Sequence, residues 1–121
     1  MNHYDAAVFV KDRLKRVSGI SKIVLFGSVA RGEEKKKSDI DIIFVVDDNM
    51  RVPDHGCYDW DLNIIRNIEE VLFKARKITG YHFHTGLFSD SQYKEGIQFG
   101  SIKGRSGDYL SDVGKVLFSR N

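Results

Sequence analysis

The sequence predicts an α+β domain: a small mixed β-sheet with helices packed mainly on one face. Apolar residues recur at helical spacing near the N-terminus and again in the middle of the chain. Short runs of apolar, β-branched residues lie between and after these segments and are typical of strands. With 121 residues, of which 41% are hydrophobic, the chain can bury one core, so we predict a single domain over residues 1–121.

The first predicted elements are a helix and a buried strand. Apolar residues follow the helical repeat over Asp5–Val17, and Gly19 is a typical helix stop. The apolar run Ile23–Phe26 follows and is ended by Gly27, which favours a buried strand and then a turn.

The second strand is predicted over Ile40–Val46, after the charged stretch Glu33–Lys37, which is typical of a solvated loop. Side chains alternate between the two faces of a strand. One face therefore carries Ile40, Ile42, Phe44 and Val46, and the other carries Asp39, Asp41, Ile43 and Val45. Both faces are apolar after Asp41, so we expect a central strand with two carboxylates near its beginning.

The second half of the chain is predicted to hold the longest helix and two more strands. Residues Arg51–Tyr58 contain a Pro and a Gly and are expected to be irregular, whereas Asp59–Lys77 follows the helical repeat. The alternating stretch Tyr81–Thr85 predicts a third strand. Four glycines within Gly96–Gly107 limit that part to one or two short helices, and Lys115–Phe118 predicts a final strand or tail.

Composition and charge restrict the function classes. The net charge of +2 gives no strong nucleic-acid signature, although it does not exclude nucleic acid. Cys57 is the only cysteine, which excludes an intrachain disulfide and zinc sites built on paired cysteines. The chain has no signal-peptide pattern and no run of about 18 apolar residues, so we expect a cytoplasmic protein without a membrane span.

The chemistry is predicted at two neighbouring places. Asp39 and Asp41, two residues apart on a strand, point to the same side and offer hard oxygen ligands for Mg²⁺. Gly27 and Ser28 follow the first strand, where a glycine allows close approach of a phosphate and backbone N–H groups bind it. Arg31, one turn later, can add a charge-assisted contact. Each feature alone is common in turns and on surfaces, but together they predict a nucleotide and metal site.

The two segments Leu25–Gly32 and Ser38–Phe44 resemble the signature of the minimal nucleotidyltransferases, which belong to the DNA polymerase β superfamily. The resemblance implies the polymerase β-like palm fold, with the active cleft on the sheet face opposite most of the helices. It also implies Gly27 and Ser28 at the triphosphate, and Asp39 and Asp41 as catalytic metal ligands.

The implied activity is Mg²⁺- or Mn²⁺-dependent transfer of a nucleoside monophosphate, expected to be AMP from ATP, onto an acceptor hydroxyl. Some members of this family are antitoxins that modify a helical HEPN-type partner protein, and the spacing here is compatible with that group. The small size predicts a macromolecular acceptor or a second subunit, so a homo-oligomer is also open.

The sequence departs from the family pattern at one position. Active members carry a third carboxylate on a later strand, whereas the predicted strand Tyr81–Thr85 has none. His82 and His84 share one face of that strand and are candidates for the position, although imidazole is a poor Mg²⁺ ligand. Asp61 is a third candidate if its segment is a strand, but the helical repeat argues against this, and we expect Asp59 to cap the helix or complement its dipole.

Three alternatives to transferase activity on a protein remain open, the first of them because of this gap. The first is a catalytically weak or inactive nucleotide- and partner-binding subunit of a two-component, toxin–antitoxin-like system. The second is a small-molecule transferase, a class that normally has an additional helical domain. The third is a structural domain with a coincidental motif, which nucleotide and Mg²⁺ titration would identify.

Overall fold

Four helices and six strands are present in the computed structural model, which describes residues 1–54, 57–96 and 114–120. In chain order they are α1 (His3–Leu14), β1 (Ile20–Phe26), α2 (Gly27–Arg31), β2 (Ile40–Val46), β3 (Arg51–Asp54), β4 (Cys57–Trp60), α3 (Leu62–Thr79), β5 (Phe83–Ser89), α4 (Asp90–Glu95) and β6 (Lys115–Ser119). A 3-10 turn, Asp48–Met50, precedes β3. No helix in these ranges is both long and apolar enough to cross a membrane.

The main sheet has four strands in the order β5–β2–β1–β6. Strand β2 pairs antiparallel with β1 and parallel with β5, and β6 pairs antiparallel with β1. The predicted small mixed sheet is therefore confirmed, and β2 is a central strand, as its two apolar faces indicated.

The larger core lies on the sheet face covered by α1 and α3. Alternate β2 side chains enter it, and Ala6, Val10 and Leu14 of α1 and Ile64, Ile68 and Ala75 of α3 pack against them. A smaller cluster on the other face contains Val24, Phe26, Ile43 and Val45, with Phe88 of β5 and Tyr93 of α4 packed beside it. The two longer helices, α1 and α3, pack on the same face of the sheet. The predicted α+β architecture, with helices mainly on one face, is therefore confirmed.

The segment before α3 differs from the prediction. Residues Arg51–Asp54 and Cys57–Trp60 pair as an antiparallel hairpin, where we expected irregular chain. The longest helix consequently begins at Leu62, since Asp59 belongs to a strand. Asp61 caps this helix, because its side chain accepts hydrogen bonds from the backbone N–H groups two and three residues later. The expectation that Asp59 caps or complements the helix is therefore wrong.

Several other elements begin or end at residues different from those predicted. Helix α1 ends at Leu14, earlier than Val17, and β1 begins at Ile20, before the predicted apolar run. The third strand begins at Phe83 and continues to Ser89, because pairing with β2 sustains it beyond the local pattern. Helix α4 ends just before Gly96, and the rest of the stretch for which one or two short helices were predicted lies outside the described residues. The final strand is confirmed by its pairing with β1.

Candidate active site

The turn between β1 and α2 depends on a glycine that no other residue can replace without strain. Gly27 has a φ of 72°, in the left-handed region that side chains rarely adopt. A Cβ built on Gly27 would lie 2.2 Å from Oδ2 of Asp41, far inside van der Waals contact. The close approach of this turn to the neighbouring strand therefore requires glycine for two independent reasons.

Asp41 is a buried carboxylate on the central strand, with 1% of its surface exposed. Its neighbours Ile40 and Ile42 enter the large core, so Asp41 points to the opposite face of the sheet. In the antiparallel register it is paired with Phe26, the residue directly before Gly27. The two sequence motifs, separated by ten residues, are thus brought into contact by strand pairing.

His84 lies beside the other oxygen of this carboxylate. It is directly opposite Asp41 in the parallel β2–β5 register, and its Nδ1 lies 3.2 Å from Oδ1 of Asp41. The His84 side chain is 45% exposed. Asp41 is therefore held between the Gly27 turn and an imidazole that reaches solvent.

Asp39 lies one residue before β2, although we placed both aspartates on the strand. It is half-buried, and its flanking residues are anchored from two directions. The N–H of Ile40 donates to the carbonyl oxygen of His82 at 2.9 Å. On the other side, Nε2 of His3 donates to the carbonyl oxygen of Ser38 at 3.1 Å. These two hydrogen bonds fix the backbone on either side of Asp39.

His3 contacts the residue next to Asp39, and the sequence did not identify it as part of the site. Its side chain is buried, and its ring stacks on Tyr81 with centroids 4.1 Å apart. The hydroxyl of Tyr81 in turn donates to the carbonyl oxygen of Met1 at 3.1 Å. No local pattern marks a histidine in the first turn of a helix as a partner of residue 38, so this contact was not predictable.

The remaining predicted phosphate ligands lie on or beside the short helix α2. Ser28 is half-buried, and its carbonyl oxygen accepts from the N–H of Glu33 at 2.9 Å. Arg31 is exposed, and its Nε donates to Oε2 of Glu33 at 3.1 Å. An exposed ion pair of this kind is worth about 0.2–1 kcal/mol, so an anion could displace Glu33 at small cost.

The three residues considered for the position of the missing carboxylate have different contacts in the structure. His84 lies next to Asp41, His82 contributes a backbone carbonyl, and Asp61 caps α3. Across residues 1–54, 57–96 and 114–120, no group of three His, Cys, Asp or Glu side chains is arranged to hold a metal ion. Mg²⁺ usually binds through one or two carboxylates together with substrate phosphates, so two aspartates fit such an ion by their chemistry.

The carboxylates at the other end of β2 have structural partners. Asp47 forms an ion pair with Arg120, and Asp48 accepts hydrogen bonds from the hydroxyl and the backbone N–H of Ser91. The side-chain hydrogen bond from Ser91 lowers the pKa of Asp48 below its ordinary value. These residues fasten the far end of the strand, away from Asp39 and Asp41.

The chain is similar to known proteins over much of its length. A family model described as a nucleotidyltransferase domain matches residues 9–104. A protein of Methanocaldococcus jannaschii, provisionally named a protein adenylyltransferase, is 38% identical over 76 residues, which cover 62% of this chain and 68% of that protein.

A solved structure extends the likeness at the level of the fold. It is a crystal structure of a toxin–antitoxin with AMP-PNP, which matches 98% of this chain and 74% of its own with a TM-score of 0.51 and 20% sequence identity. The likeness supports the polymerase β-like fold predicted from the sequence. Because the family model covers most of the chain, including both signature segments, the chain belongs to the nucleotidyltransferase domain family.

Proposed function

We propose that this protein transfers AMP from ATP to a hydroxyl group of a partner protein, with a divalent cation held by Asp39 and Asp41. The observation that carries the proposal is the buried Asp41 carboxylate, which contacts the Gly27 turn directly. Phosphoryl chemistry needs a cation beside a phosphate-binding turn, and the pairing of Asp41 with Phe26, directly before Gly27, supports such an arrangement.

Each residue has a distinct part in this proposal. Asp39 and Asp41 provide oxygen ligands, the kind of donor that Mg²⁺ and Mn²⁺ prefer. The cation, when bound, neutralises charge on the triphosphate. Gly27 and Ser28 begin α2 and offer backbone N–H groups to a phosphate, Ser28 adds a hydroxyl, and Arg31 adds a positive charge. These groups orient the triphosphate so that the acceptor hydroxyl can attack in line.

The choice of AMP and of a protein acceptor is supported by similar proteins. The Methanocaldococcus jannaschii relative is named as acting on proteins by adenylylation, and the structural neighbour is a toxin–antitoxin with an ATP analogue. A toxin-like partner, for which a helical HEPN-type protein is the family precedent, is therefore the acceptor that we propose.

A second candidate function is a binding subunit that holds nucleotide and partner without efficient transfer. The observation that favours it is His84, an imidazole at the strand position beside Asp41 where active relatives are expected to carry a carboxylate. A neutral or cationic ring cannot replace the negative charge of a carboxylate toward Mg²⁺.

Transfer is tested by incubating the protein with α-labelled ATP, Mg²⁺ or Mn²⁺, and the product of the adjacent gene. We expect label on the partner, reduced about 100-fold or more by Asp39→Asn and Asp41→Asn, because a lost metal ligand removes several kcal/mol of transition-state stabilisation. Asp48→Asn is the matched control, since Asp48 follows the far end of the same strand.

The outcomes separate the two candidates. ATP binding without label transfer to any partner would favour the binding subunit over the transferase. Equal transfer by Asp41→Asn and wild-type protein would contradict the proposed role of Asp41.

A further inference from the structure

An imidazole occupies the β5 position that faces Asp41 in the strand register. Nδ1 of His84 and Oδ1 of Asp41 are 3.2 Å apart. Two donors bound side by side to one octahedral ion, each at about 2.1 Å, lie about 3.0 Å from each other. The observed separation is therefore close to that of two ligands sharing a cation, as well as being a hydrogen-bond distance.

The side chains of Asp41 and His84 differ in how freely they can rotate. Asp41 is buried and its Oδ2 is packed against Gly27, so its carboxylate has little room to turn. The His84 side chain is 45% exposed and can rotate its ring about this fixed oxygen. An arriving cation would thus meet a rigid carboxylate and an adjustable nitrogen donor.

We propose that, when nucleotide phosphates complete the site, His84 joins Asp41 as a ligand of the divalent cation and makes the site select Mn²⁺ over Mg²⁺. This inference rests on the proposed function, because it takes Asp41 as a metal ligand. Hard Mg²⁺ binds oxygen and accepts imidazole poorly, whereas first-row transition metals bind imidazole well. A nitrogen donor in place of an oxygen donor at this position therefore shifts the preference of the site from Mg²⁺ toward Mn²⁺.

His84 is the residue that the structure singles out for this part. His82 is also exposed, but it lies before β5 and its described contact with β2 is made by its backbone carbonyl. Asp61 is engaged as the cap of α3. His82→Ala is therefore a matched control: it removes an exposed imidazole two residues away and leaves the Asp41–His84 pair intact.

The test uses the full chain labelled with ¹⁵N, together with Mn²⁺ and a non-hydrolysable ATP analogue. Pulsed EPR detects ¹⁵N bound to Mn²⁺ and distinguishes it from the ¹⁴N of the adenine. We expect ¹⁵N coupling in wild-type protein and in His82→Ala, and none in His84→Ala. Thermal unfolding of the metal-free proteins checks that the exposed substitution leaves the fold intact.

Competition measures the selectivity. Mg²⁺ is titrated against bound Mn²⁺, and we expect His84→Asp to lower the Mg²⁺ concentration needed for half-displacement by about tenfold, because it restores an oxygen donor. Retained Mn²⁺ without ¹⁵N coupling in wild-type protein would overturn the role of His84 and leave the proposed function standing. Failure of every variant to retain Mn²⁺, with or without the ATP analogue, would overturn the metal site as a whole.

Discussion

Replacing Gly27 by alanine tests how tightly the turn after β1 and the carboxylate of Asp41 are packed. The added Cβ would lie 2.2 Å from Oδ2 of Asp41, so the carboxylate must move by about 1 Å to reach ordinary contact. The same movement disturbs the contact between Asp41 and His84. One methyl group should therefore affect both stability and metal binding.

The expected loss of stability has three parts. A non-glycine residue in the left-handed region costs about 1–2 kcal/mol. Displacing Asp41 from its preferred rotamer costs about 1 kcal/mol, and weakening its hydrogen bond to His84 costs about 1 kcal/mol more. Gly27→Ala should therefore lower the free energy of unfolding by about 3–4 kcal/mol, a loss that a domain stable by about 5–15 kcal/mol can survive.

Urea unfolding and Mn²⁺ binding measure the two effects, and the chain offers a matched control. Gly80 has a φ of 77°, and a Cβ added there would meet nothing within 4 Å, so Gly80→Ala isolates the backbone strain. We expect this control to lose about 1–2 kcal/mol and to bind Mn²⁺ normally. If Gly27→Ala is no less stable than Gly80→Ala and binds Mn²⁺ equally well, the close contact with Asp41 does not shape the site.

Three further predictions concern an anchor of the site, the far end of β2 and the core. His3→Ala removes the hydrogen bond to Ser38 and a ring contact, and should cost about 1–3 kcal/mol and weaken Mn²⁺ binding; unchanged binding would show that His3 does not position Asp39. The lowered pKa of Asp48 means that its stabilisation is present above pH 3.8 and is lost as the pH falls through the folded-state pKa. Urea titrations of wild-type protein and Asp48→Asn should therefore differ at pH 6 and converge in acid, and a constant difference would contradict this linkage. Phe44→Ala should lower unfolding free energy by about 3–5 kcal/mol in urea, because the ring is fully buried; a loss below about 1 kcal/mol would contradict its place in the core.

Much of the architecture was predictable because its signals are local. The apolar, β-branched run Ile40–Val46, with both faces apolar after Asp41, identified a central strand, and pairing on both sides agrees with it. The apolar run ended by Gly27 located the turn after β1, since glycine is the residue that tolerates its backbone conformation. These features depend only on residues that are neighbours in the sequence, so they can be predicted from the sequence directly.

Elements that depend on distant pairing were predicted less well. The paired strands Arg51–Asp54 and Cys57–Trp60 include a proline and lack a clear apolar alternation, so they carry no local signature. Because β4 extends to Trp60, α3 begins only at Leu62 and not at Asp59 as predicted. The extension of β5 to Ser89 similarly comes from pairing with β2 and not from its own residues.

The sequence by itself determined the Gly27 turn and the two aspartates as the candidate site, because the residue types and their spacing are specific. It placed His82 and His84 on one face but could not choose between them, since a strand repeat of two treats both alike. Only the register between β2 and β5, set by packing across more than forty intervening residues, puts His84 beside Asp41. The antiparallel pairing of β1 with β2 brings Gly27 within contact of that carboxylate, so the two pairings together decide which groups surround Asp41.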